Sequence, residues 1–177
     1  IIPLAGLGTR MLPLTSVIPK ELLPINGRPN LEYILDECLE AGIKEFIFII
    51  SKNKKNIKNY FYSDNFYKKV LFKKKDKRIL NEFNKLKRYK KMIKFVYQNN
   101  PKGTGDAVLK CKKYIKNKYF IMLLPDDLII KKNCSKEMIK LHNRKKCSVI
   151  ASKKVNKKTV SRWGILSLRN KKKNHFQ

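Results

Sequence analysis

The chain has 177 residues, a mean hydropathy of -0.48 and a formal net charge of +30, from 43 basic against 13 acidic side chains. That length suits one domain around one core, and no apolar run in it approaches the length of a membrane-spanning helix. No signal peptide is visible within it, and Cys38, Cys111, Cys134 and Cys147 show no CxxC pair and no histidine at ligand spacing. A disulfide framework and a zinc site are therefore poor readings, and reduced thiols of a cytoplasmic protein are the better one. The basic residues are 36 Lys and 7 Arg, alongside 16 Asn and 19 Ile. Those are residues of A/U-rich codons, so a solvated lysine surface from compositional bias is favoured over a nucleic-acid surface.

The chain opens with an apolar run short enough for one buried strand, followed by Gly6-Leu7-Gly8-Thr9-Arg10 and then Pro19-Lys20-Glu21-Leu22-Leu23-Pro24. Two glycines after a strand let the backbone take positive φ angles and its N–H groups converge on an anion. Arg10 and Lys20 add full positive charge, so the stretch reads as a phosphate site. The spacing fits neither a Walker A loop nor a dinucleotide fingerprint, because no Gly-Lys-Ser/Thr follows and a third glycine is missing.

Asn30 to Ala41 places Leu31, Ile34, Leu35, Cys38 and Leu39 at helical spacing, closed by Gly42. Glu45 to Ile50 (EFIFII) is a continuous apolar run and reads as a strand buried on both faces. Asn53 to Phe61 predicts a helix with Ile57, Tyr60 and Phe61 turned inward. Between about 62 and 92, apolar residues recur irregularly among lysines, which suggests a helical insertion of two amphipathic helices. Its Lys68 to Arg78 cluster, with Phe66, Tyr67 and Phe72, is the best nucleic-acid candidate in the chain, although aromatics at helical spacing are more simply core contacts.

Ile93 to Tyr97 (IKFVY) predicts a strand running into Gln98 to Asp106, with a helix beginning near Thr104. A Gln at a strand end beside the bare backbone of Gly103 can read the edge of a flat polar ring; an ordinary strand-to-helix loop explains the segment equally well. Tyr119 to Leu124 (YFIMLL) is the most apolar run, predicts a central strand, and ends in Pro125-Asp126-Asp127. Carboxylates at that end of a parallel sheet suit Mg²⁺, whose hard oxygen ligands bridge to phosphate, while a turn or helix cap is the alternative. Ser135 is expected to cap a helix to Lys146, Cys147 to Ser152 to form a strand, and Val160 to Leu168 another, with Gly164 admitting a ligand or a neighbouring backbone.

Together these predict an α/β fold with a doubly wound, mostly parallel sheet, in which a phosphate loop, a base-reading turn and a metal carboxylate meet at strand carboxyl ends. The motifs AGLGTRMLP, IPKELLPI, QNNPKGTGDAV, LLPDD and RWGIL, in this order, resemble those of the sugar-1-phosphate nucleotidyltransferase family, above all its bacterial UTP-glucose-1-phosphate uridylyltransferase branch. Lys20-Glu21 resembles that branch, where the related thymidylyltransferases usually have Lys-Gln.

The resemblance implies a Rossmann-like fold, Mg²⁺, and transfer of UMP from UTP to glucose 1-phosphate by a cytoplasmic enzyme that is a homo-oligomer at full length. It implies that Arg10 and Lys20 are catalytic, that Ala5, Gly6, Gly8, Glu21, Gln98 and Gly103 bind the nucleotide, that Gly164 lies against the sugar and that Asp126 holds the metal. It also implies that residues 1–177 are an incomplete nucleotidyltransferase domain, ending before the family's Glu-Lys pair for the sugar phosphate and its second metal-binding Asp. Trp163 stands where members more often have Tyr. Asp106 stands where many have His, either adding negative charge near the pocket or pointing away as a first-turn helix residue. A thymidylyltransferase, a lysine-rich nucleic-acid binder and a degenerate non-catalytic nucleotide binder are the competing readings.

Overall fold

The computed structural model describes residues 1–62, 69–70, 72–73, 77–100, 102–115, 119–166, 171–172 and 175–176. Its centre is a parallel sheet of β1 (Ile2–Pro3), β4 (Phe46–Ile50) and β5 (Ile93–Tyr97), in the order β1-β4-β5. The register pairs Ile2 with Phe48, and Phe46 through Ile50 with Ile93 through Tyr97. Between β1 and β4 lie a short hairpin of β2 (Pro24–Ile25) and β3 (Arg28–Pro29), and then helix α1 (Asn30–Glu40). Helix α2 (Lys55–Tyr62) and helix α3 (Lys77–Met92) separate β4 from β5.

The two-residue period of the strands sorts their side chains onto two cores. On one face Ile2, Leu4, Phe46, Phe48, Ile50 and Ile93 meet α1 through Leu31, Ile34, Leu35 and Cys38, α2 through Ile57 and Phe61, and α3 through Tyr89. On the other, Ile1, Ala5, Ile49 and Val96 meet Ala107 and Cys111 of helix α4 (Thr104–Lys110) and the residue after it. Helices on both faces of a parallel sheet make the fold doubly wound, as the sequence predicts. Cys38 and Cys111 serve there as small core hydrophobes; burial pushes the Cys38 thiol up to about 12.

Three predicted elements take other forms. Residues 119–124 do not form a buried central strand. Ile1 N donates to Ile121 O at 2.8 Å and Leu123 N to Ile1 O at 3.1 Å, so the segment docks in parallel beside β1 around that one residue. No ladder extends further and no strand pairs on its outer side among the described residues, which leaves Tyr119, Phe120, Met122 and Leu124 exposed. Residues 147–152 are irregular, with Ile150 71% exposed. Residues 157–162 form a short 3-10 helix in place of the first part of the expected strand at 160–168, and 167–168 lie outside the described residues. Apolar, β-branched composition nominates a strand; without a partner for its backbone N–H and C=O groups no ladder forms.

Helix α5 (Cys134–Lys145) begins earlier than expected because Asn133, not Ser135, is its N-cap, its side chain accepting from Lys136 N. Ser135 is instead buried, donating through its hydroxyl and backbone N–H to Glu37 of α1. Of the insertion predicted at 62–92, α3 is described, with Tyr89 donating its hydroxyl proton to Asp36. Residues 63–68, 71 and 74–76 lie outside the described residues, and with them Phe66, Tyr67 and much of the Lys68 to Arg78 cluster. Lys171–Lys172 pairs with His175–Phe176 as an antiparallel pair, β6 and β7, at the end of the chain. No helix among the described residues is long and apolar enough to cross a membrane.

Candidate active site

A cleft of about 210 Å³ opens at the carboxyl ends of β1 and β5. It gathers residues far apart in sequence: Ala5 and Gly6 after β1, Lys20 and Glu21, Gln98 and Gly103 after β5, and Asp126. The ladders explain the convergence. Leu4 N still donates to Ile49 O at 2.7 Å and Gln98 N to Ile50 O at 2.9 Å, so the chain stays in register until it enters the site. The crevice beyond strand carboxyl ends is where open α/β sheets bind ligands.

The loop expected to hold phosphate turns on one glycine rather than two. Gly8 has φ +68°, a left-handed conformation, and a Cβ there would come within 3.3 Å of Thr15. Thr15 Oγ1 also donates to Gly8 O at 2.8 Å, which folds the loop back on itself. Gly6 does not use its freedom to adopt positive φ, and a Cβ there would meet nothing within 4 Å; it leaves the cleft wall open. Gly8 and Arg10 do not line the cleft, and Arg10 projects, exposed, from a 3-10 turn at Thr9–Met11.

Of the three predicted charged groups in the cleft, Lys20, Glu21 and Asp126, the first and last are paired with each other. Lys20 Nζ donates to Asp126 Oδ2 at 2.8 Å. Burial would raise the Asp126 carboxyl, but the hydrogen bond and charge of Lys20, with a smaller contribution from Arg10, outweigh it and hold the group below its ordinary value. The turn carrying Asp126 is fixed by Asn30 at the start of α1, whose Nδ2 donates to Pro125 O at 2.7 Å.

Glu21, expected beside the nucleotide, lines the cleft but is 1% exposed, and both its oxygens accept from Lys54 Nζ, at 2.7 and 2.8 Å. Burial lowers the Lys54 ammonium below its ordinary value, with the Glu21 charge working against that shift. Lys54, in a short 3-10 turn at the end of β4, was not singled out by sequence reasoning. In the run Ser51-Lys52-Asn53-Lys54-Lys55 nothing distinguishes it; the only available signal was that a buried Glu21 would require a cation.

Gln98 is 3% exposed, and its Nε2 donates to Gly103 O at 3.3 Å and to Asp106 Oδ2 at 2.6 Å. Gly103, at φ +94°, is the N-cap of α4 and turns its carbonyl back toward Gln98. Asp106 therefore points toward Gln98. A second, larger hollow of about 280 Å³ adjoins this turn, bordered by Tyr97, Lys102, Asp106 and Lys110; it contains neither Lys20 nor Asp126. Gly164 is not brought to the cleft, and a Cβ there would meet nothing within 4 Å.

A doubly wound sheet whose strand ends present a glycine loop, a lysine–carboxylate pair and a buried amide defines a nucleotide-site architecture. The Nucleotidyl transferase family model matches residues 1–175, and the chain belongs to that family. Within it, the chain is similar to the UTP–glucose-1-phosphate uridylyltransferase of Streptococcus pyogenes, 37% identical over 174 residues that cover 94% of this chain and 56% of the relative. Among solved structures it is similar to the UTP-bound UGPase from Acinetobacter baumannii, with a TM-score of 0.75 and 34% identity over 82% of this chain and 52% of that one. A UDP-glucose pyrophosphorylase complexed with UDP-glucose matches with a TM-score of 0.75 and 31% identity, covering 95% of this chain and 61% of that one. The chain thus spans little more than half the length of the relatives it matches.

Proposed function

We propose that the protein carrying this chain is a UTP–glucose-1-phosphate uridylyltransferase, transferring UMP from UTP to glucose 1-phosphate with release of pyrophosphate. The observation that carries the reading is the cleft itself, where Gly6, Lys20, Gln98 and Asp126 meet at the carboxyl ends of parallel strands. Family membership and the uridylyltransferase names of its relatives support the choice of nucleotide and sugar.

In this reading an oxygen of the sugar phosphate attacks the α-phosphorus of UTP in line. A new P–O bond forms as the bond to the bridging oxygen breaks, and pyrophosphate leaves with that oxygen, so no covalent enzyme intermediate is needed. Catalysis then comes from positioning and charge neutralisation. Lys20 holds the α-phosphate and acceptor phosphate, and Arg10 the departing pyrophosphate. Ala5 and Gly6 shape the wall for the nucleoside, Gly8 turns the loop that carries Arg10, and Gln98 and Gly103 face the base; Gly164, outside this cleft, is assigned to the sugar by the family resemblance alone. Glu21, both oxygens taken by Lys54, contributes a fixed wall rather than a free charge.

Asp126 suits a hard divalent cation: its side chain is 60% exposed toward the cleft and it carries two oxygens, one already bonded to a cationic group. It is a single protein ligand, and no group of three or more His, Cys, Asp or Glu gathers among the described residues. That matches Mg²⁺ more than a caged metal, since Mg²⁺ commonly takes one or two carboxylates with substrate phosphates and water. When bound it would neutralise phosphate charge. We further propose a cytoplasmic, homo-oligomeric enzyme when full length, in which residues 1–177 form the nucleotide-binding part of one domain. The test is pyrophosphate release by the full-length protein, dependent on both UTP and glucose 1-phosphate. Absence of pyrophosphate release with every sugar phosphate and nucleotide tried overturns the reading.

A further inference from the structure

Gln98 is the side chain in the cleft best suited to read a base, but an amide can read in two opposite senses. It presents an oxygen to a donor or a nitrogen to an acceptor, and rotation by half a turn exchanges them. Here two neighbours decide the sense. The Gly103 carbonyl, at 3.3 Å, has no proton to give, and neither has the Asp106 carboxylate, at 2.6 Å. Both must face the amide nitrogen, which donates to both. Among the described residues no donor reaches Oε1, which is also absent from the buried polar atoms lacking a partner. What Gln98 can offer a ligand is therefore an acceptor alone.

Asp106 stands on α4 and borders the adjoining hollow, whereas Gln98 lines the cleft. Asp106 is itself held from the far side by Lys110, one turn along the helix, at 3.9 Å. Resting on the nucleotide reading given above, we infer that Asp106 is a positioning residue. It fixes the Gln98 amide with Oε1 toward the ligand and so selects a base carrying a ring N–H over one carrying a ring acceptor. Uracil has such an N–H at N3; cytosine presents a bare N3 there and asks for a donor. The charged acceptor at 2.6 Å is the stronger of the two restraints, because hydrogen bonds to ionised groups are shorter and stronger than neutral ones. Remove it, and the carbonyl at 3.3 Å is the one that remains.

The test is the ratio of UTP to CTP affinity, measured by calorimetric titration on the full-length protein and its Asp106→Ala and Asp106→Asn variants. Alanine is well tolerated in a helix, and a thermal melt checks that each variant is folded. The unaltered protein is expected to prefer UTP, and Asp106→Ala to reduce that preference about tenfold, through weaker UTP and stronger CTP binding. Asp106→Asn, which can still accept from Gln98 through Oδ1, is expected to restore much of it. A merely structural role would weaken both nucleotides together and leave the ratio unchanged. UTP binding with an unchanged ratio in Asp106→Ala overturns this inference alone. Failure of the unaltered protein to bind either nucleotide overturns the nucleotide reading and this inference with it.

Discussion

The sheet half of the molecule, residues 1–110, and the segment 119–166 carry similar apolar signals and meet different fates. EFIFII becomes β4, paired on both sides, with Phe48, Ile49 and Ile50 fully buried. YFIMLL is just as apolar, yet it touches β1 only around Ile1, and Leu124 remains 38% exposed. The difference lies in partners rather than composition: a strand is stabilised by ladders on its edges and side chains against both faces, and β4 has all four. Function follows the same division. The first half builds the cleft walls from residues held by ladders, and the second delivers Asp126 on a turn fixed by Asn30 and Lys20.

Substitutions should separate the halves. The largest stability loss is expected where the sheet half buries charge: Lys54→Ala strands Glu21 without its cation, and about 3–5 kcal/mol should be lost in chemical denaturation. Phe48→Ala, in the packed core against Phe61 and Phe95, should cost a similar amount, about 3–5 kcal/mol. Lys20→Ala acts on the reaction instead. A drop of about a hundredfold or more in pyrophosphate release is expected with an unchanged thermal midpoint, and a near-normal rate would show that the catalytic cation lies elsewhere.

A smaller effect comes from Asp36, which receives hydrogen bonds from Tyr89, Arg28 and Lys85. Burial raises its carboxyl, but these bonds outweigh it and hold the group below the ordinary value of 3.8. The folded chain then binds fewer protons than the unfolded one, so this stabilisation is complete above that value and is lost as pH falls through it toward the folded one. Asp36→Asn should flatten the acid limb of stability measured from about pH 6 to about pH 3. Smallest of all, Ile150→Ser in the open segment should change stability by less than about 0.5 kcal/mol. A loss comparable to that of Phe48→Ala would mean that 147–152 packs far more tightly than its exposure implies.

Much of this was legible in order along the chain. Helical spacing from Asn30 to Ala41, the apolar run at 45–50 and the strand pattern IKFVY at 93–97 correspond to α1, β4 and β5, because periodicity and burial are local properties of a repeating backbone. Gly6, Lys20, Gln98 and Asp126 were nominated from the sequence as candidate ligand-binding residues, and the structure brings these four to one cleft. What the chain order could not express was who partners whom. Nothing local distinguishes Lys54 from its neighbouring lysines, turns Asp106 toward Gln98, or joins Lys20 to Asp126, the two being 106 positions apart. Nor does local composition reveal that YFIMLL lacks a second edge. The sequence by itself determined the parallel α/β architecture and the kinds of side chain at its strand ends. Tertiary structure decided which charges neutralise each other, which way the amide faces and which apolar runs are covered, since each depends on a partner brought close only when the sheet is assembled.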